Sequence, residues 1–128
     1  MIRSLIRHDP QAHIYVLCLD RTVHEVVSSI SNAVTPIHID DLMESDPEFS
    51  ESRNNRTQVE WYFTATSCLV NYVLELNPEL DRLFYLDSDL YFYASPAELI
   101  RESLTASVQI IEHRFPPELN HLMIFGRF

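Results

Sequence analysis

The sequence predicts an α/β layered domain with a largely parallel sheet flanked by helices. Three observations carry this. IYVLCL at 14–19 and LFYL at 83–86 are short, continuous apolar runs, as found in strands buried on both faces of a parallel sheet. The segments around them repeat their apolar residues at helical spacing. Strand and helix patterns alternate along the chain, as in βαβ units, and no internal repeat interrupts them.

Taken in order, residues 2–7 read as the last turns of a helix, with Ile2, Leu5 and Ile6 on one face, stopping before Pro10. The strand at 14–19 ends at Asp20, an N-cap for a helix over 21–30. There Val23, Val26, Val27 and Ile30 are expected to form one buried face. Residues 34–39 form the next strand, and Asp40-Asp41 is expected to cap a short helical turn through Met43. Residues 44–55 are polar and read as a surface loop with room for one helical turn. Residues 57–76 are helical, with a stripe of Val59, Tyr62, Phe63, Thr66, Leu69, Val70, Val73 and Leu74. Thr64, Thr66 and Ser67 weaken its middle enough to suggest a break.

The run 83–86 is the expected central strand, and 90–93 continues it after an acidic turn. In that strand Tyr91 and Tyr93 are sheet packing. Ser95-Pro96 starts a helix, with Ala97, Ile100 and Leu104 along one face. A strand at 108–111 and a helix at about 118–125 complete the reading as a single domain over 1–128.

Composition excludes several functions. Nine basic against nineteen acidic residues give a formal charge of -10, the wrong sign for a nucleic-acid surface. The chain has one glycine, Gly126, so it contains neither a P-loop nor a dinucleotide fingerprint. No run reaches membrane-spanning length, and the N-terminus lacks the pattern of a signal peptide. Cys18 and Cys68 lie in apolar segments and read as reduced, buried thiols of a cytoplasmic protein. His8, His13, His24, His38 and His121 show no metal-ligand spacing.

The chemistry concentrates in Asp87-Ser88-Asp89, set between two apolar runs. Carboxylates in such a segment need compensation by hydrogen bonds or a cation. At this spacing both can reach one hard divalent ion, such as Mg²⁺ or Mn²⁺. The carboxyl end of a central strand is also where α/β proteins place ligands. Arg56 precedes the long helix, and a guanidinium at a helix N-terminus suits a diphosphate, although a surface Arg paired with an acid accounts for it too. His113 and Arg114 follow a strand end and are candidates to touch a sugar or acceptor; a polar strand-to-helix turn explains them equally well. Glu60, Trp61, Tyr62 and Thr66 lie on the long helix, its aromatics assigned to the core.

YLDSDLYFYASPAEL resembles the metal-binding stretch of GT-A-fold glycosyltransferases, the nucleotide-diphospho-sugar transferases. IYVLCLD at 14–20, NRTQVEWYFTAT at 55–66, YVLELNPELDRLFYLDSDLYFY at 72–93 and HRFPPELNHL at 113–122 resemble blocks of such proteins in the same order. The resemblance implies a Rossmann-like GT-A fold and glycosyl transfer from a nucleoside diphosphate sugar, usually a uridine diphosphate sugar, with Mn²⁺ or Mg²⁺. By that similarity Asp89 is the main metal ligand. Asp87 meets the metal or the donor's ribose and sugar, and Ser88 belongs to the same donor-binding turn.

Two departures qualify it. Members of the family start with a further strand and loop, and they continue beyond the HRFPP block. The resemblance therefore implies a domain incomplete at both ends, with part of the usual site outside this sequence. That leaves a second expectation, an inactive partial domain that works by association with another chain or by self-association. A third, a phosphohydrolase of the haloacid-dehalogenase type, also uses Asp-x-Asp after a buried strand. Its motif normally continues with Thr or Val, where Leu90 and Tyr91 stand here.

Overall fold

A computed structural model describes residues 1–102 and 116–122. The chain divides into two compact units, Met1–Tyr93 and Ala94–Phe128. The first is a mixed α/β unit. Its order is α1 (Ile2–His8), β1 (Ile14–Cys18), α2 (Arg21–Ser28), β2 (Val34–His38), α3 (Ile39–Ser45), α4 (Pro47–Ser52) and α5 (Gln58–Leu76). β1 and β2 pair in parallel, from Ile14 opposite Val34 to Cys18 opposite His38, with α2 as the crossover. They are the only strands paired among the described residues.

β1 separates two apolar clusters. Ile14, Cys18 and Val34 join Leu5 of α1 and Val27 of α2 in one, with Val16 and Ile30 packed against it. Leu17 packs against the other, formed by Ile39 and Leu42 of α3, Phe49 of α4, and Trp61 and Ala65 of α5. Adjacent residues of a strand point to opposite faces, so β1 serves both layers.

Capping side chains set the helix boundaries. The Asp20 carboxylate accepts from Val23 N–H at 2.8 Å and starts α2. Asp46 does the same for α4, accepting from Phe49 N–H at 2.9 Å with Pro47 in the first helical turn. Thr57 and Glu60 close a capping box at the start of α5. Tyr15 on β1 donates through its hydroxyl to the Asn77 side-chain oxygen at 2.9 Å, tying the far end of α5 back to the sheet.

Several expectations need correction. α3 begins at Ile39 and is capped by His38; Asp41 supplies the reciprocal half of a capping box. The polar stretch after Glu44 holds a complete short helix, α4, because Phe49 is buried there. α5 runs unbroken; the Thr64 hydroxyl in its first half donates back to the Glu60 carbonyl at 2.8 Å. Its buried residues are Trp61, Ala65 and Val73, while Val59, Tyr62, Phe63 and Leu74 face outward. Apolar residues surround much of this helix, so periodicity alone does not choose a face. Stacking of Trp61 on Phe49, at 4.8 Å between centroids, chooses it. On α2 Val27 is buried, but Val23 and Val26 are exposed.

The largest difference lies at 83–86 and 90–93. These runs join no strand ladder among the described residues. Only Leu86 and Phe92 pack against the core, and Phe84, Tyr85, Leu90, Tyr91 and Tyr93 are exposed. Tyr91 and Tyr93 rest on each other at 4.8 Å in place of sheet packing, as residues two apart on an extended chain can.

In the second unit α6 (Ala97–Glu102) follows Ser95, whose hydroxyl accepts from Ala97 N–H at 3.2 Å. A 3₁₀ helix spans Pro117–Leu122. Leu104, the expected strand at 108–111 and the end of the final helix lie outside the described residues. No described helix is long and apolar enough to cross a membrane.

Phe49→Ala removes the ring under Trp61 and should cost about 3–5 kcal/mol of stability. Phe63→Ser, at a side chain 73% exposed, should change it by less than about 0.5 kcal/mol. Urea unfolding of the two variants checks both, and equal losses would mean that α5 buries a different face.

Candidate metal and donor site

Asp87, Ser88 and Asp89 lie on an exposed span held at its two ends. Leu86 on one side and Phe92 on the other pack against the cluster of Leu5, Ile14, Cys18, Val27 and Val34. Phe92 N–H also donates to the Ser4 hydroxyl of α1 at 3.1 Å, and that hydroxyl donates to the Met1 carbonyl at 2.7 Å. Between these anchors the chain turns, with Leu90 N–H donating to the Asp87 carbonyl at 3.3 Å. Both carboxylates are exposed, so water supplies the solvation that burial in a central strand would have removed. The Tyr85 hydroxyl donates to Asp87 Oδ1 at 3.1 Å and orients that carboxylate.

The donor set fits a hard divalent cation, since the turn offers two carboxylates and only oxygen ligands. No group of three His, Cys, Asp or Glu side chains converges as a metal site among the described residues. Two carboxylates are nevertheless the usual protein share of a Mg²⁺ site whose remaining ligands are phosphate and water.

Arg56 stands one residue before the Thr57 cap of α5. Its guanidinium donates to the Thr64 hydroxyl, so it lies back along the first turns of the helix. It helps line an open cleft of about 660 Å³ together with Asp46, Glu48, Glu51, Asn54 and Asn55. The structure engages Arg56 with Thr64 instead of with either aspartate of the turn. His113 and Arg114 lie outside the described residues.

Glu60 sits beside Arg56. Its carboxyl is held below its ordinary value, first by the Thr57 hydroxyl, then by the Thr57 backbone N–H, and to a lesser degree by the Arg56 charge. Burial pushes both thiols upward, with the neighbouring Asp46 adding to the effect at Cys68. Both cysteines are unpaired, Cys18 buried and Cys68 half-buried, and neither has the lowered pKa of a nucleophile.

Sequence reasoning did not single out Tyr85 or Ser4. The spacing of Tyr85 from Asp87 was a usable signal, because residues two apart in extended chain share a side. The role of Ser4 carries no such signal: it depends on a contact spanning 88 residues of sequence.

No protein-family model matches the chain, and no solved structure matches it. It is similar to the uncharacterized protein YfnD of Bacillus subtilis, 30% identical over 130 residues, which cover 100% of this chain and 41% of YfnD. It is also similar to the uncharacterized protein YfnF of the same organism, 28% identical over 109 residues, 84% of this chain and 35% of YfnF. The chain thus spans less than half the length of these relatives.

The lowered Glu60 carboxyl has a direct consequence for pH. Its contribution is present above its ordinary value of 4.5 and is lost as pH falls through the folded value. Wild type should therefore be more stable than Glu60→Gln at neutral pH, and the difference should vanish in acid. Urea midpoints of the two proteins at both pH values test this; a constant difference would mean that the charge of Glu60 is not involved.

Proposed function

We propose that this chain is part of a metal-dependent glycosyltransferase of the GT-A type, which binds a nucleoside diphosphate sugar, in the first place a uridine diphosphate sugar. The observation that carries the reading is the Asp87-Ser88-Asp89 turn, exposed and anchored at both ends on an α/β core. The parallel β1–α2–β2 unit and the order of the sequence blocks around it support the same reading. Asp87 and Asp89 would hold Mn²⁺ or Mg²⁺, with Tyr85 fixing the rotamer of Asp87. A metal held there would neutralise charge on the departing diphosphate. Ser88, exposed in the same turn, would offer the donor a hydroxyl. Arg56, once released from Thr64, would offer a second positive charge to the phosphates. His113 and Arg114 remain candidates for the sugar or acceptor. No described residue is assigned as a catalytic base.

A second reading, a partial domain that acts by association, is favoured by one observation. Tyr93 is 85% exposed and rests on the exposed Tyr91, and Phe84 and Leu90 of the same segment are exposed as well. Sedimentation velocity separates the two readings, since a monomer at every concentration removes the second.

Calorimetric titration with uridine diphosphate, with and without Mn²⁺, tests the first. Binding should require the metal and should be lost in Asp89→Ala, with wild-type secondary structure retained. Metal-independent binding, or unchanged affinity in Asp89→Ala, would overturn the assignment.

A further inference from the structure

His38 ends β2 and is also the N-cap of α3. Its Nδ1 accepts from the Asp40 backbone N–H at 3.2 Å, which requires a neutral ring with its proton on Nε2. Nε2 is buried and has no hydrogen-bond partner among the described residues. The same Nδ1 lies 3.3 Å from Oδ2 of the Asp40 carboxylate. One residue thus offers this nitrogen two partners of opposite character: an N–H, usable only by the neutral ring, and a carboxylate, which suits the protonated one.

The surroundings add charge from every side. The second carboxylate of α3, Asp41, accepts from the His38 backbone N–H at 3.1 Å. From α2 the His24 ring stands edge-on at 6.1 Å between centroids. Arg21 and Glu25 of α2, and Glu44 of α3, line the same open cleft of about 450 Å³. Across the sheet the register partner is Cys18, a buried thiol. Four carboxylates and one guanidinium line the cleft around the ring.

We propose that His38 is a pH-operated helix cap. When Nδ1 takes a proton from solvent it can no longer accept. It releases the Asp40 N–H, turns its new N–H to the Asp40 carboxylate, and so rearranges the first turn of α3. The exchange replaces one bond with another, so its mark is a local change in hydrogen bonding and not unfolding. α3 carries Ile39 and Leu42 into the cluster around Trp61, so the rearrangement occurs at the edge of the second core layer. The device is independent of any activity at Asp87 and Asp89.

Amide NMR of the whole chain between about pH 8 and pH 5.5, the range in which histidine changes charge, tests the proposal. In wild type the Asp40 amide should lose its downfield shift and its exchange protection as pH falls, while far-UV circular dichroism stays constant. His38→Asn keeps a capping acceptor but cannot titrate, and its Asp40 amide should not respond. His38→Asp serves in the same way if the asparagine variant fails to fold. His24→Gln should leave the transition in place. An Asp40 amide unchanged by pH in wild type, a response that survives in His38→Asn or His38→Asp, or one abolished by His24→Gln would overturn the proposal.

Discussion

Among the described residues β1 pairs with one neighbour, yet it must bury both of its faces, and it imposes that demand on the rest of the first unit. IYVLC carries no polar face to offer to water, so helices are needed above and below. α1 and α2 cover one side through Leu5 and Val27. α3, α4 and α5 cover the other through Leu42, Phe49 and Trp61. The order of elements along the chain then follows, since a parallel partner for β1 requires the crossover that α2 provides.

Within that frame the acidic turn is positioned from a distance. Leu86 and Phe92 supply apolar anchors, and Ser4 supplies a polar tether from Phe92 to α1. The carboxylates themselves take no part in packing. The apolar anchors define the place of the turn, while its carboxylate oxygens stay in contact with water. On the other side of the sheet, α5 holds Arg56 at its start through Thr64 and is fixed at its end by Tyr15 and Asn77.

The acidic triplet was legible from the chain alone, because two aspartates between apolar runs contrast with everything around them. The support for it was not. Expecting residues 83–86 to be a buried strand assumed that a continuous apolar run finds partners on both sides. Phe84 and Tyr85 instead remain exposed, and the segment joins no ladder among the described residues. A run of apolar residues states what a segment would gain by burial, whereas a ladder depends on which edge lies beside it.

Sequence by itself determined the order α1, β1, α2, β2 at the start of the chain and the starts of α2 and α5, because spacing and capping act within a few residues. It also determined that the chain is acidic and lacks a glycine-rich phosphate loop. Only the tertiary structure decided which face of α5 is buried, through the stack of Trp61 on Phe49. It also decided that His38 caps α3 and lies beside His24, that Ser4 meets Phe92, and that Asp87 is oriented by Tyr85 on an exposed turn. Most of these contacts join residues far apart in sequence, and such pairings are chosen by packing; where the partners are near, as with Tyr85 and Asp87, the conformation of the intervening chain had to be known first.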